Sequence, residues 1–239
     1  MQLGIYPFWF WNSDQEEQET LRQLEMFADI NCQGVVLHGR EGNQVPYMSE
    51  EWLQCIKNCC RKAKELNLKL WLYDEEGYPS GNAGGRIPAE FPELLPKCID
   101  FEYGSITGEV FAAYHPQTLK RITDPGFTGT ALCLKKRTGF RHVDVLNKRS
   151  CEEFMRRTHH LWEKELKEYF GNVIECVYTD DISIFEGYMD GIPWSDTLPE
   201  EYEKHFVWTI LSRTLTDPRH GCAHEGDPRG AVYCGGVFV

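Results

Sequence analysis

The chain has 239 residues, 41% of them hydrophobic and 13% aromatic, enough to bury the core of one large domain or two small ones. Its formal charge of -12 argues against a nucleic-acid partner, which would need basic patches, and suits a neutral substrate such as a sugar. No run approaches the roughly 18 apolar residues that cross a bilayer, so no membrane partner is expected.

The first segment, "IYPFWFWN", is an apolar run of strand length, ending in Trp11 and Asn12. No charged n-region with an apolar h-region precedes it, so the reading is a cytoplasmic protein without a signal peptide. Next comes "SDQEEQETLRQLEMFADIN". Ser13 and Glu16 have the spacing of a capping box, Leu21, Leu24, Phe27 and Ala28 repeat at helical intervals, and Asn31 can end the helix. "CQGVVLHGR" is a second strand, ending in His38, Gly39 and Arg40. Ser49 then reads as the N-cap of a helix whose buried face holds Trp52, Cys55, Ile56, Cys59, Ala63 and Leu66, closed by Asn67. The third strand runs through "LKLWLYDEEGYPSGNAGG" and delivers Tyr73, Asp74, Glu75 and Glu76 at its end.

The alternation then lapses. Between about 88 and 145, the segments "KCIDFEYG", "GEVFAAY" and "TALCLKKRTGFRHVDV" read as a small antiparallel β insertion after the third strand. One helix is expected over "SCEEFMRRTHHLWEKELKEYFG", started by Ser150 and Glu153, with Phe154, Leu161, Trp162, Leu166 and Tyr169 buried and Gly171 past its end. A fourth strand, "VIECVYTDD", ends in Thr179, Asp180 and Asp181. From 207 to 239 the chain has no sustained period and reads as a tail that is non-native or disordered. The ten cysteines show no CxxC pair and no Cys/His ligand spacing, and read as small buried hydrophobes in a reducing compartment.

Apolar strands alternating with one-faced helices imply an α/β fold with parallel strands, whose C-terminal ends meet on one face. Ligands bind on that face in (β/α)₈ barrels and in open α/β sheets alike. Polar groups gathered there do nothing for sheet formation and make sense as a site. Two acids on different strand ends suit glycoside cleavage, in which one carboxyl protonates the leaving oxygen and the other acts as base or nucleophile. Oxygen ligands of this kind would also suit Ca²⁺ or Mg²⁺. Each residue has a plainer reading beside this one. Asp180 and Asp181 could cap the next helix or loop, His38 could be a satisfied core histidine, and the tryptophans of the first strand could be simple core. Glu76 reads as a solvated turn residue, Arg86 and Glu90 as surface, and His159 and His160 as lying far from the strand ends. "SGNAGG" lacks the Lys-Ser/Thr of a phosphate loop and reads as a tight turn beneath a ligand.

"PFWFWN", "GVVLHGR", "PYMSEEW", "LWLYDEEGYPSGNAGG", "HVDVLN" and "VYTDDIS", in this order, resemble family 106 of the glycoside hydrolases, over roughly residues 5 to 206. The resemblance implies a (β/α)₈ catalytic barrel that hydrolyses terminal α-L-rhamnosides or related glycosides with inversion, with calcium assisting substrate binding. It points to Asp181 or Glu75 as proton donor, with Asp180 and Asp74 holding substrate or metal. Trp11, Asn12, His38, Arg40 and Tyr73 would line the sugar pocket. No metal ligand is assigned. Asp181 stands where the family commonly has Glu, so its carboxyl is drawn back by one methylene. The four βα-type strands compare with eight in a full barrel. The expected fold is therefore a partial (β/α)₈ TIM barrel, its N-terminal half spanning 1–206 with the β insertion at about 88–145. Exposed edges of such a half-barrel invite self-association. The alternative function is a truncated, catalytically inactive sugar-binding fragment; a metal-dependent lyase or isomerase is a weaker rival.

Overall fold

The computed structural model of the protein describes residues 4–182 and 191–205. In chain order the elements are β1 (Phe8–Trp11), α1 (Glu17–Asp29), β2 (Gly34–Gly39), α2 (Glu50–Leu66), β3 (Lys69–Glu76) and the short α3 (Arg86–Glu90). They continue as β4 (Lys97–Gly104), β5 (Val110–Tyr114), β6 (Ala131–Thr138), α4 (Lys148–Arg157), α5 (His159–Leu166), β7 (Ile174–Tyr178), β8 (Ile192–Trp194) and α6 (Leu198–His205). Among the described residues the chain forms two compact units, one of 4–96 and 140–182, the other of 97–139 and 191–205. The tail expected at 207–239 lies outside the described residues.

The first unit is a parallel sheet in the order β1-β2-β3-β7. Alternation along the strands sorts their side chains onto two faces. Trp9, Trp11, Val35, Leu37, Leu70 and Leu72 pack with Leu24 of α1, Trp52, Ile56, Cys59 and Cys60 of α2, and Trp162 and Leu166 of α5 in one core. The opposite face carries Phe8, Phe10, His38, Tyr73 and Tyr178 in mutual ring contact. This face is concave. The rings of Phe8 on β1 and Tyr178 on β7 lie 5.4 Å apart, whereas three strand spacings in a flat sheet would separate them by roughly 14 Å. One layer lower, Tyr6 stacks on Trp71 at 4.7 Å, and both donate hydrogen bonds to Glu175, at 3.0 and 3.2 Å. Layered side chains inside a curled parallel sheet are the packing found in barrels. Among the described residues the sheet nevertheless stays open at β1 and β7, and no closed barrel is formed.

Ser49 caps α2 as its sequence suggests, its Oγ accepting from Trp52 N at 3.1 Å, and Asn67 ends the helix with a left-handed φ of 57°. Two helix starts differ from expectation. α1 begins at Glu17 with Glu16 as N-cap and no side-chain cap, so Ser13 does not form a capping box. The helix expected from Ser150 is instead capped by Asn147, whose Oδ1 accepts from Arg149 N, and it is broken in two at Thr158 (φ −121°, ψ −84°).

The second unit is an antiparallel sheet in the order β5-β6-β4-β8. Its core joins Ile99, Ala112, Tyr114, Leu132, Leu134 and Trp194. Strands β4, β5 and β6 occupy the segments expected to form the β insertion. Strand β8, of three residues, has no counterpart in the sequence reading because it is too short to show a period. The eight described cysteines are free, and Cys59 and Cys60 lie in the helix-side core.

Candidate functional site

The polar ends of β1, β2, β3 and β7 do converge, but the acids among them divide into sealed and open groups. Glu75 is sealed. It is 0% exposed, and its carboxylate accepts from five backbone N–H groups: Gly81, Asn82 and Ala83 at 3.1, 2.6 and 2.9 Å on Oε2, and Glu76 and Gly84 at 2.9 and 2.5 Å on Oε1. The Pro-Ser-Gly loop therefore wraps the chain's own carboxylate, as an anion nest would wrap a ligand. This explains the two glycines: Gly81 and Gly84 have φ of 132° and 66°, and a Cβ on Gly84 would come within 3.0 Å of the Tyr47 ring, while Ala83 between them is held at a φ of 55°. Burial raises the pKa of Glu75 to about 6, against the pull of those N–H donors. With both oxygens occupied and no exposed surface, Glu75 has no face for a substrate. In this arrangement Glu75 anchors its own loop.

Asp74 is sealed as well. At 0% exposure it accepts from Ser80 Oγ on Oδ1 and from Thr179 Oγ1 on Oδ2, each at 2.6 Å, and its Oδ2 lies 3.5 Å from His159 Nε2. Burial raises its pKa, and the two hydroxyls oppose that rise. His159, expected far from the strand ends, is therefore at one of them, because the break at Thr158 lets α5 start directly against β3.

Asp180 and Asp181 are the open acids. Asp181 is exposed and Asp180 half-buried. Tyr73 OH donates to Asp180 Oδ2 at 2.9 Å, Tyr78 OH reaches Asp181 Oδ2 at 3.3 Å, and Asp181 N donates to Asp180 Oδ1 at 2.8 Å. Burial and the bond to Asp180 raise the pKa of Tyr73, which keeps it a donor. Asp180 N in turn donates to Ser80 Oγ at 3.1 Å.

The remaining expected residues fall in different places. Trp11 is 1% exposed and packs on Trp52 on the helix-covered face, not in the concavity. His38 is 2% exposed. Its Nε2 donates to the Gly77 carbonyl at 2.9 Å, its ring stacks on Tyr73 at 3.4 Å between centroids, and burial lowers its pKa to about 4. Arg40 is half-buried, with its guanidinium 5.4 Å from the Phe10 ring, and Asn12 is exposed beside Gly42. The aromatic groups open to the concave side are instead Phe8 and Phe10, 41% and 49% exposed. Alternation in "FWFW" is the signal that could have found them, since two tryptophans facing helices put both phenylalanines on the other side. Three further residues read as surface or turn are engaged. Arg86 Nε donates to the Ala83 carbonyl at 3.1 Å, Glu90 pairs with Arg157, and Glu76 is half-buried with its pKa raised by burial against the field of Arg86. Among the described residues, no group of three or more His, Cys, Asp or Glu side chains is placed to hold a metal ion. Nor is any described helix long and apolar enough to cross a membrane.

No family model and no curated protein matches the chain. Among solved structures it is similar to a rhamnosidase from Novosphingobium sp. PP1Y, at 17% identity and a TM-score of 0.35, over 47% of this chain and 12% of that one. A likeness at that score carries no argument about fold or activity.

Proposed function

We propose that the chain is a glycoside-hydrolase-like protein of the family 106 type, built as the N-terminal part of a (β/α)₈ barrel and directed at α-L-rhamnosides or related glycosides. The observation that supports this reading is the meeting, at one end of a curled parallel sheet, of exposed aromatic rings with one exposed and one half-buried carboxylate. Phe8 and Phe10 offer an apolar platform to the C–H face of a sugar, Arg40 stands over Phe10 and exposed Asn12 follows the same strand to serve hydroxyls, and Asp180 and Asp181 follow β7 at the opposite edge of the curled sheet. In this reading Asp181 is the proton donor, with Asp180 held by Tyr73 to orient the substrate. Calcium, which the resemblance alone implies, enters as a variable of the assay.

The sealing of Glu75 favours a second reading, sugar binding without turnover. A glycosidase needs two carboxyls flanking the scissile bond, and Asp180 and Asp181 are neighbours on one strand end. The second acid must therefore come from elsewhere, and a second copy joined through the sheet edges at β1 and β7 is one source. Hydrolysis of p-nitrophenyl α-L-rhamnoside by the purified chain, with and without calcium, tests the first reading. Calorimetric titration with L-rhamnose tests the second. Turnover supports the enzyme, heat without turnover supports the binding protein, and the absence of both counts against rhamnose as the ligand.

A further inference from the structure

His159 opens α5 against the end of β3, and its surroundings fix where its protons are. Its Nδ1 lies 2.9 Å from Thr158 Oγ1, and the Thr158 hydroxyl donates its own proton to the Phe154 carbonyl at 2.7 Å. The hydroxyl must then accept from Nδ1–H, which sets the tautomer. In the neutral ring Nε2 is left as a lone pair, and it faces Asp74 Oδ2 at 3.5 Å. A lone pair against an ionised carboxylate is a repulsive contact in a buried site. The pair is stable with one proton between the two groups, either as imidazolium and carboxylate or as neutral imidazole and carboxylic acid.

Asp74 is also the junction that ties the open acids to the core. Thr179, next to Asp180, donates to its Oδ2, and Ser80 donates to its Oδ1 while accepting from Asp180 N. Asp181 N in turn rests on Asp180 Oδ1. The other titratable groups whose fields reach the pair are His160 from α5, Tyr73 from β3 and Tyr47 from the segment before α2.

We propose that His159 is a positioning residue: it shares one proton with Asp74, and through Thr179 and Ser80 this pair sets the placement of Asp180 and Asp181. When the shared proton leaves, Asp74 Oδ2 turns from the Nε2 lone pair and carries its two hydroxyl partners with it. The catalytic consequence rests on the glycosidase reading; the structural linkage does not. Opposite burial effects on the two groups, up for Asp74 and down for His159, agree with a proton held in common.

The test is a pH titration of the ¹⁵N-labelled full chain from about pH 4 to about pH 9, reading the His159 ring nitrogens and the amides of Asp180 and Asp181. Both amides are expected to share the titration midpoint of His159. That step is expected to vanish in His159→Gln, whose amide N–H can face Asp74 at every pH, and to persist in Asp181→Asn, which leaves the His159–Asp74 pair in place. An amide step unchanged in His159→Gln overturns the proposal. So does a wild-type His159 titration that leaves both amides still, a result that decides the matter even if the variant does not fold. If the wild type hydrolyses the rhamnoside, the alkaline limb of its pH profile is expected to shift in His159→Gln, because the proton donor Asp181 remains but its positioning pair is lost. Without turnover the glycosidase reading fails, and the amides alone decide.

Discussion

Both oxygens of Glu75 are taken by its own loop, so removing them strands five backbone N–H groups in a buried place. Leaving even one such group unpaired costs about 1–3 kcal/mol, and relaxation of the loop recovers part of the sum. Glu75→Ala is therefore expected to lose roughly 3–5 kcal/mol of stability, measurable as a shift in the urea midpoint. His38 gives a second prediction. Its folded pKa, about 4, lies below its ordinary value of 6.5, so the unfolded chain binds the extra proton first as pH falls. The stability from keeping this ring neutral is fully present above about pH 6.5 and is lost as pH drops toward about 4. His38→Gln, which can keep the N–H bond to Gly77, is expected to flatten that acid slope in urea unfolding. His142, which burial also lowers to about 4, and His159, lowered in the same sense, contribute to the slope that remains. Glu75, with its pKa raised to about 6, acts in the opposite sense: its contribution falls as pH rises through about 6. Only the difference between wild type and His38→Gln is therefore diagnostic.

At the scale of elements, local rules and tertiary packing can be told apart. Ser49 bonds the free N–H of Trp52 and precedes Glu50 and Glu51 in the first turn of α2. Ser49→Ala is expected to cost about 1 kcal/mol, read by chemical denaturation, because that N–H loses its acceptor. This cap, the left-handed Asn67 and the apolar stripe of α2 were legible in the sequence, since each depends on residues within a turn or two of one another. The break between α4 and α5 was not. Thr158 adopts a non-helical conformation while its side chain bonds back to Phe154 O, and the helical period of Phe154, Trp162 and Leu166 runs across the break undisturbed. An unbroken helix would carry His159 away from the strand ends; the break brings it to Asp74. The division of the acids was hidden for a similar reason. "YDEE" announces charge at a strand end, but whether a carboxylate faces solvent or its own loop depends on how Gly81 to Gly84 fold back over it.

At the scale of the molecule, curvature decides what the first unit can do. The ring contact between β1 and β7 brings aromatic groups from opposite edges of the sheet into one concave surface, with Asp180 and Asp181 at its polar end. In the proposed reading the sealed acids build the rim, and the open acids are the ones available to a ligand. This division is the central claim, and turnover of p-nitrophenyl α-L-rhamnoside by Asp181→Asn, normalised to folded protein, tests it most directly. The account predicts a fall of about 10²-fold or more with the urea midpoint unchanged, because an exposed proton donor is lost and no buried bond is broken. Turnover in Asp181→Asn equal to that of the wild type would contradict it.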